Sequence, residues 1–224
     1  MAALVGKCWS VLDKLANAEI ILVNNGSTDN SRTILTERGL PKGNLKIVDL
    51  DLNRGYGHGI LTGLREAKGD VIGWTHADLQ TDPLDFCKGI EMLTNNDGPF
   101  LVKGNRTGRP LSDQLFTLGM SVLETLLLKT TLRDINAQPT IFDKKSMWTW
   151  IDDAPSDFSL DLYAYYKMKE LNCDVIRFPV VFAKRTHGHS HWNVDWKSKW
   201  KFIRRTLSFS WRLSRSLDKQ SIWK

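Results

Sequence analysis

Short apolar runs alternate along this chain with longer stretches of helical period. Runs near 19–24, 45–50, 70–75, 100–103, 139–143 and 174–182 read as buried strands, with turn-forming residues between elements. Stretches near 29–38, 55–67, 83–95, 112–129 and 157–171 read as helices. Near the start, Leu4, Val5, Cys8, Val11, Leu12 and Leu15 fall on one helical stripe. This alternation predicts an α/β fold with a mostly parallel central sheet flanked by helices, although 112–129 breaks the simple repeat. No signal peptide is visible, and no run approaches the ~18 apolar residues expected of a spanning helix.

Composition fits one globular domain, since 224 residues that are 42% apolar can bury a full core. Cys8, Cys87 and Cys173 are odd in number and lack metal-ligand spacing, so they read as reduced core residues of a cytosolic protein. The net charge of +6 is uneven. Residues 197–224 hold nine basic groups and one acid, leaving a net of −2 on the rest. Stepping about 100° per residue from Trp196 brings Trp200, Ile203, Leu207 and Trp211 together. Phe202, Phe209 and Leu213 widen that side, and the basic residues, Lys199 excepted, lie opposite. Such a helix over 196–217 suits an anionic membrane surface, or else packs on the domain with a solvated basic face.

The chemistry concentrates in His76-Ala77-Asp78-Leu79-Gln80-Thr81-Asp82, where the strand at 70–75 gives way to a helix opened by Asp82-Pro83. His76, Asp78 and Gln80 alternate, so an extended or gently turning backbone sends them to one side. An imidazole, a carboxylate and a carboxamide at the carboxyl end of a strand suit a divalent ion shared with a substrate phosphate, or else Asp78 and Gln80 are ordinary polar loop residues. A second strand, 19–23, runs into Asn24-Asn25-Gly26-Ser27-Thr28-Asp29, a tight turn with Ser27 or Asp29 as the cap of the next helix.

Val23-Asn24-Asn25-Gly26-Ser27-Thr28-Asp29 resembles the Val-Asp-Asp-Gly-Ser-x-Asp signature of family 2 glycosyltransferases. Ala77-Asp78-Leu79-Gln80 resembles the Asp-Ala-Asp-Leu-Gln metal motif of their dolichyl- and polyprenyl-phosphate sugar synthase branch. Asn53-Arg54-Gly55-Tyr56-Gly57, followed by Gly63, is similar to the family's Asn-x-Gly-x-Gly segment. The order continues through Lys103-Gly104-Asn105-Arg106, Asp134-Ile135-Asn136-Ala137-Gln138-Pro139, Asp161, Phe178–Phe182 and Arg185-Thr186-His187-Gly188-His189-Ser190. The resemblance implies a GT-A-type nucleotide-diphospho-sugar transferase over residues 1–193, followed by a basic amphipathic segment, 194–224.

His76 replaces the first carboxylate of the metal motif, Asn24 and Asn25 replace the paired aspartates of the base site, and Thr140 replaces a phosphate-clamping arginine. Asn can still hydrogen-bond a nucleobase or ribose edge, and a neutral imidazole can still bind a divalent ion. The resemblance also implies a central strand ahead of the first helix that this sequence does not show. The start is therefore read as internal to a longer protein; the other expectation is a sheet that closes around the absence.

Carried over position by position, the resemblance implies a Mg²⁺ or Mn²⁺ held by Asp78, Gln80 and His76. The donor is a nucleotide-diphosphate sugar bound by Asn24, Asn25, Ser27, Asp29, Asn53, Gly55, Gly57 and Ala77. Asp78, Gln80, Arg106 and Arg185 carry catalysis, and Gln138, Arg106 and Ser190 hold the acceptor. The expected reaction inverts the anomeric centre, with a polyprenyl phosphate acceptor at the cytoplasmic membrane face. An acceptor hydroxyl on a glycan would need a carboxylate base. Asp152-Asp153, Asp157 and Asp161 are the candidates, and no Glu-Asp pair stands in the later half. A non-catalytic nucleotide-sugar-binding relative is the remaining alternative. Ile60 and Thr62 break a dinucleotide-type glycine pattern, and no Walker-type lysine is present. His187, His189 and His191 read as part of a substrate-closing loop, and no module pattern points to nucleic acid.

Overall fold

A computed structural model describes residues 1–37, 40–93, 98–183 and 196–221. Helix α1 (Ala2–Lys14) leads to β1 (Ile20–Asn25), α2 (Ser31–Glu37), β2 (Leu45–Leu50), α3 (Tyr56–Glu66), β3 (Val71–Trp74), α4 (Asp85–Glu91) and β4 (Phe100–Thr107). Then come α5 (Leu111–Leu128), β5 (Thr140–Asp143), α6 (Lys144–Met147), a 3₁₀ turn at Ile151–Asp153, α7 (Leu160–Glu170), β6 (Asp174–Val181) and α8 (Trp196–Ser221). Each strand expected from the apolar runs is present. The stripe on α1 buries Leu4, Val5, Cys8 and Val11. Helix α7 buries every residue from Leu160 to Tyr166, as a helix does when elements surround it on all sides.

The strands form two sheets. One pairs β1 with β2 in parallel, from Ile20 against Leu45 to Asn25 against Leu50. The other has the order β3-β5-β4-β6. There β4 and β6 are parallel, while β5 runs against both β3 and β4. Three strands of this sheet therefore share a direction and β5 is reversed, a detail the apolar pattern does not carry.

Between the sheets lies a gap. Among the described residues β1 pairs only with β2, and β3 only with β5, so one edge of each has no strand partner. Residues Ile20–Asn25 and Val71–Trp74 line a cavity of about 1820 Å³, roofed in part by Leu4, Cys8 and Val11 of α1. Among the described residues no strand fills this gap, and the two sheets do not close across it. Unpaired edge amides away from bulk water are costly, and sheets normally cover or pair them.

The carboxyl-terminal helix packs on the body of the protein. Leu213 belongs to the main core cluster with Phe209 beside it, and Phe209 meets Tyr163 edge-on at 6.2 Å. Trp200 and Trp211, expected on that same apolar side, are exposed. The apolar side is thus divided, and its tryptophans share the outer surface with exposed Arg204, Arg212 and Arg215. Helix α5 corrects the expectation about spanning segments. By length and composition alone, Leu111–Leu128 could cross a membrane.

Two measurements check this architecture. Amides of β1 and β3 should exchange with solvent at least about tenfold faster than those of β4, which has a strand on each side. Leu213→Ala should lower the free energy of unfolding in urea by about 2–5 kcal/mol, as a core truncation does.

Candidate active site

At the carboxyl end of β3 the chain turns rather than extends. Leu79 has φ 58°, and the Gln80 amide donates to Asp78 Oδ1 at 3.1 Å. Ahead of Leu79, His76 and Asp78 face each other, with His76 Nδ1 4.0 Å from Asp78 Oδ2. Gln80 is tied down at the far side. Its Nε2 donates to the Ala183 carbonyl, and the Ala183 amide donates back to the Gln80 carbonyl, so the end of β6 is clamped beside the motif.

Behind His76 stands a polar chain. Its Nε2 is 2.9 Å from Tyr56 Oη, and the Tyr56 ring stacks on Phe158 with centroids 4.6 Å apart. Burial first, and then the charge of Asp161, hold the Tyr56 phenol well above its ordinary pKa, so it stays protonated. Buried Asp161 accepts from Gln138 Nε2 at 2.8 Å and from Trp74 Nε1 at 3.3 Å. The Tyr56 oxygen also accepts from Gln138 Nε2 at 3.4 Å.

A basic cluster borders the same cavity. The backbone amide and guanidinium Nε of Arg106 donate to Asp134, each at 2.8 Å, with a further bond from Nη2. Arg109 lies 3.7 Å from the same carboxylate. Burial pushes the Asp134 carboxyl up, but the bonds and charge of Arg106, with Arg109 behind them, outweigh it and hold the group below its usual range. One carboxylate thus serves two guanidiniums, and the buried Arg109 Nε has no partner among the described residues. Lys103, fully buried, donates to Thr140 Oγ1 at 2.7 Å. A cationic group therefore reaches Thr140 from β4, although burial lowers this lysine to about 7.

The residues named from sequence separate into groups. His76, Ala77, Asp78, Gln80, Asn24, Asn25, Ser27, Arg106 and Gln138 line the cavity. Asn25 Nδ2 donates to Asn53 Oδ1 and the Gly55 carbonyl, and its buried Oδ1 has no partner among the described residues. Gln138 Oε1 is buried in the same condition. Asn24 is occupied by Asp49 at 2.8 Å and by the Ser27 amide at 3.2 Å. Asp29 is solvent-exposed, caps α2 through the Ser31 amide at 3.0 Å, and does not line the cavity.

Asn53, Gly55 and Gly57 also stand outside the lining. A Cβ on Gly55 would come within 2.5 Å of the Ser156 carbonyl oxygen, and one on Gly57 within 2.5 Å of that of Pro155. These glycines let the start of α3 press against the 155–157 backbone. Arg185 and Ser190, with the histidines at 187, 189 and 191, lie outside the described residues. Sequence reasoning passed over Tyr56, Arg109 and Glu124. Tyr56 was visible only as the spacer between two glycines. Arg109 and Glu124 carry no motif.

The residues at the β3 end can hold a divalent ion. Two donors to one ion at bonds of about 2.1 Å stand roughly 3–4 Å apart, which the 4.0 Å between His76 Nδ1 and Asp78 Oδ2 allows. Among the described residues no group of three His, Cys, Asp or Glu is gathered. That suits ions whose other positions go to water and substrate phosphate.

The family model for glycosyl transferase family 2 matches residues 3–151. The chain belongs to glycosyl transferase family 2. A curated relative from Pectobacterium carotovorum subsp. carotovorum, undecaprenyl-phosphate 4-deoxy-4-formamido-L-arabinose transferase, is 32% identical over 130 residues, covering 57% of this chain and 36% of that protein. The protein of the same name from Serratia proteamaculans is 43% identical over 91 residues, 39% of this chain and 28% of its own length. The match therefore spans about a third of these relatives or less.

Among solved structures, glucosyl-3-phosphoglycerate synthase from Mycobacterium tuberculosis, in complex with Mn²⁺, UDP-glucose and phosphoglyceric acid, superposes with a TM-score of 0.64 at 14% identity. It covers 93% of this chain and 74% of that one. A mannosyltransferase from Pyrobaculum calidifontis with GDP-mannose and Mn²⁺ gives 0.56 at 18% identity, over 82% of this chain and 55% of that one. The fold of this family 2 member is of GT-A type.

Asp134→Asn should cost about 3–5 kcal/mol near neutral pH, because it leaves two buried guanidiniums without their carboxylate. A carboxyl held low in the fold contributes stability that is present above its unfolded pKa and lost as pH falls through the folded value. Urea titrations should therefore show the wild type losing part of its margin over the variant below about pH 4.

Proposed function

We propose that this chain is the catalytic region of an inverting glycosyltransferase that moves a sugar from a nucleotide-diphosphate donor to a polyprenyl phosphate at the cytoplasmic membrane face. One observation carries the reading. One cavity is lined by the His76–Asp78 pair and by Arg106 and Arg109, whose guanidiniums share the Asp134 carboxylate behind them. The pair suits the donor's diphosphate, and the two guanidiniums, with a buried Arg109 Nε that has no partner among the described residues, suit an anionic acceptor.

His76 and Asp78, with Gln80 beside them, would hold a Mg²⁺ or Mn²⁺ whose charge stabilises the departing diphosphate. The chain's own residues do the rest. Tyr56 holds the His76 ring through its Nε2. The partnerless Asn25 Oδ1 and Gln138 Oε1 offer acceptors to hydroxyl or amide groups of the donor. Arg106 and Arg109 orient the acceptor phosphate, whose oxygen is already an anion and needs no base. The named relatives act, by their names, on undecaprenyl phosphate, and the basic outer side of α8 suits an anionic membrane surface.

A glycan hydroxyl is the competing acceptor and requires a base. Asp161 is occupied by Gln138 and Trp74, Asp152 pairs at the surface with Arg65, and Asp157 caps the Ser159 amide. Glu124 also lines the cavity, and burial lifts its carboxyl to about 7.

The test is transfer of labelled sugar from a panel of nucleotide sugars to undecaprenyl phosphate with Mn²⁺ in detergent. Asp78→Asn should lower the rate about 10–100-fold with the fold intact. His76→Asp should tighten Mn²⁺ binding, measured by calorimetry. Transfer to a glycan hydroxyl alone, abolished by Glu124→Gln, would replace this reading, and full activity in Asp78→Asn would overturn the metal assignment.

A further inference from the structure

Helix α5 is inside out. Its 18 residues turn polar groups inward: Ser121 and Glu124 are buried, and Asp113 and Thr117 are half-buried and line the cavity with them. The outward side is a stripe of Leu111, Leu115, Leu118, Val122 and Leu126, between 52% and 77% exposed. At about 100° per residue these five fall within an arc of about 80°. A surface helix in water has the reverse arrangement. An exposed, contiguous apolar stripe on a helix about 27 Å long marks a surface with a partner.

The neighbouring helix identifies that partner. Helix α8 packs against α5, with Ser210 facing Glu124. The outward side of α8 presents Trp200 and Trp211, 67% and 49% exposed, together with exposed Arg204, Arg212 and Arg215. The Arg215 guanidinium sits 3.7 Å above the Trp211 ring. Tryptophan and arginine together suit the head-group layer of a bilayer, where the rings meet the acyl boundary and the cations meet phosphates. A second copy of this chain fits poorly. In a two-fold dimer each patch meets itself, so the arginines of α8 would face like charges, and no acid lies between residues 197 and 217 to answer them.

We propose that α5 seats the protein on an anionic bilayer by inserting its leucine stripe into the acyl boundary, with the Trp–Arg side of α8 in the head-group layer. This deepens the peripheral-membrane part of the reading above and is independent of the transfer chemistry. The apolar side of α5 then meets lipid while its polar side lines the active-site cavity. The helix becomes the wall between the membrane and the site, and a lipid-borne phosphate would reach the cavity along its edge.

The experiment is sedimentation with vesicles of phosphatidylcholine containing 30% phosphatidylglycerol, roughly the charge of a cytoplasmic leaflet. The intact protein should bind and be only partly released as salt rises, since screening weakens the arginine contribution and leaves the apolar one. The exposed triple variant Leu115→Ser/Leu118→Ser/Leu126→Ser should keep its melting temperature and lose at least about tenfold in partitioning. Arg204→Gln/Arg212→Gln/Arg215→Gln should remove the salt-sensitive fraction only. Absence of vesicle binding by the intact protein would overturn both this proposal and the membrane reading. Unchanged binding by the leucine variant would overturn the role of α5 alone. A dimer of the intact protein that the leucine variant converts to monomer in light scattering would assign the stripe to a second copy instead.

Discussion

Asp161 is a carboxylate almost wholly removed from water, and such a group persists only if donors surround it. Trp74 from the end of β3 and Gln138 from the approach to β5 supply them, and Gln138 also reaches the Tyr56 oxygen at 3.4 Å. Four elements distant in sequence are thereby pinned to one point. The His76 end of the cavity depends on it, because Tyr56 Oη in turn stands 2.9 Å from His76 Nε2.

The Asp134 cluster follows a different logic. There one carboxylate is shared by two guanidiniums, held under low exposure beside the cavity, with Asp113 also acting on Arg109. An anion entering that space finds donors already oriented by Asp134 and Thr117, so little reorganisation is needed on binding. Lys103 is fully buried and outside the lining, and burial makes its charge conditional near neutral pH, which separates it from the permanently charged arginines.

The two halves of the molecule are unequally secured. The four-stranded sheet is buried between α7 and the core cluster, with Leu101, Phe142 and Ile141 fully enclosed. The β1–β2 pair instead rests on a smaller cluster formed with α1 and faces the gap. The polar end of the cavity draws residues from both sides, Asn25 from the open pair and His76 from the edge of the closed sheet. Geometry at that end of the cavity is therefore set partly by how well the weaker half is held.

Elements whose signal is local were legible in the sequence. The six strands, the stripe on α1 and the cluster from His76 to Gln80 depend on residues close together along the chain, and period and composition are properties of such neighbours. Gly55 and Gly57 show where that stops. The family resemblance placed them at the donor, and what requires glycine there is the backbone of Ser156 and Pro155, a hundred residues away in the chain. The reversed direction of β5, the placing of Arg109 beside Asp134, and the division of the apolar side of α8 were decided likewise by distant partners. In one dimension α5 shows only as a helix that breaks the simple repeat. Only the packed structure shows that the polar side of that helix was needed inward, which left the apolar side to face outward.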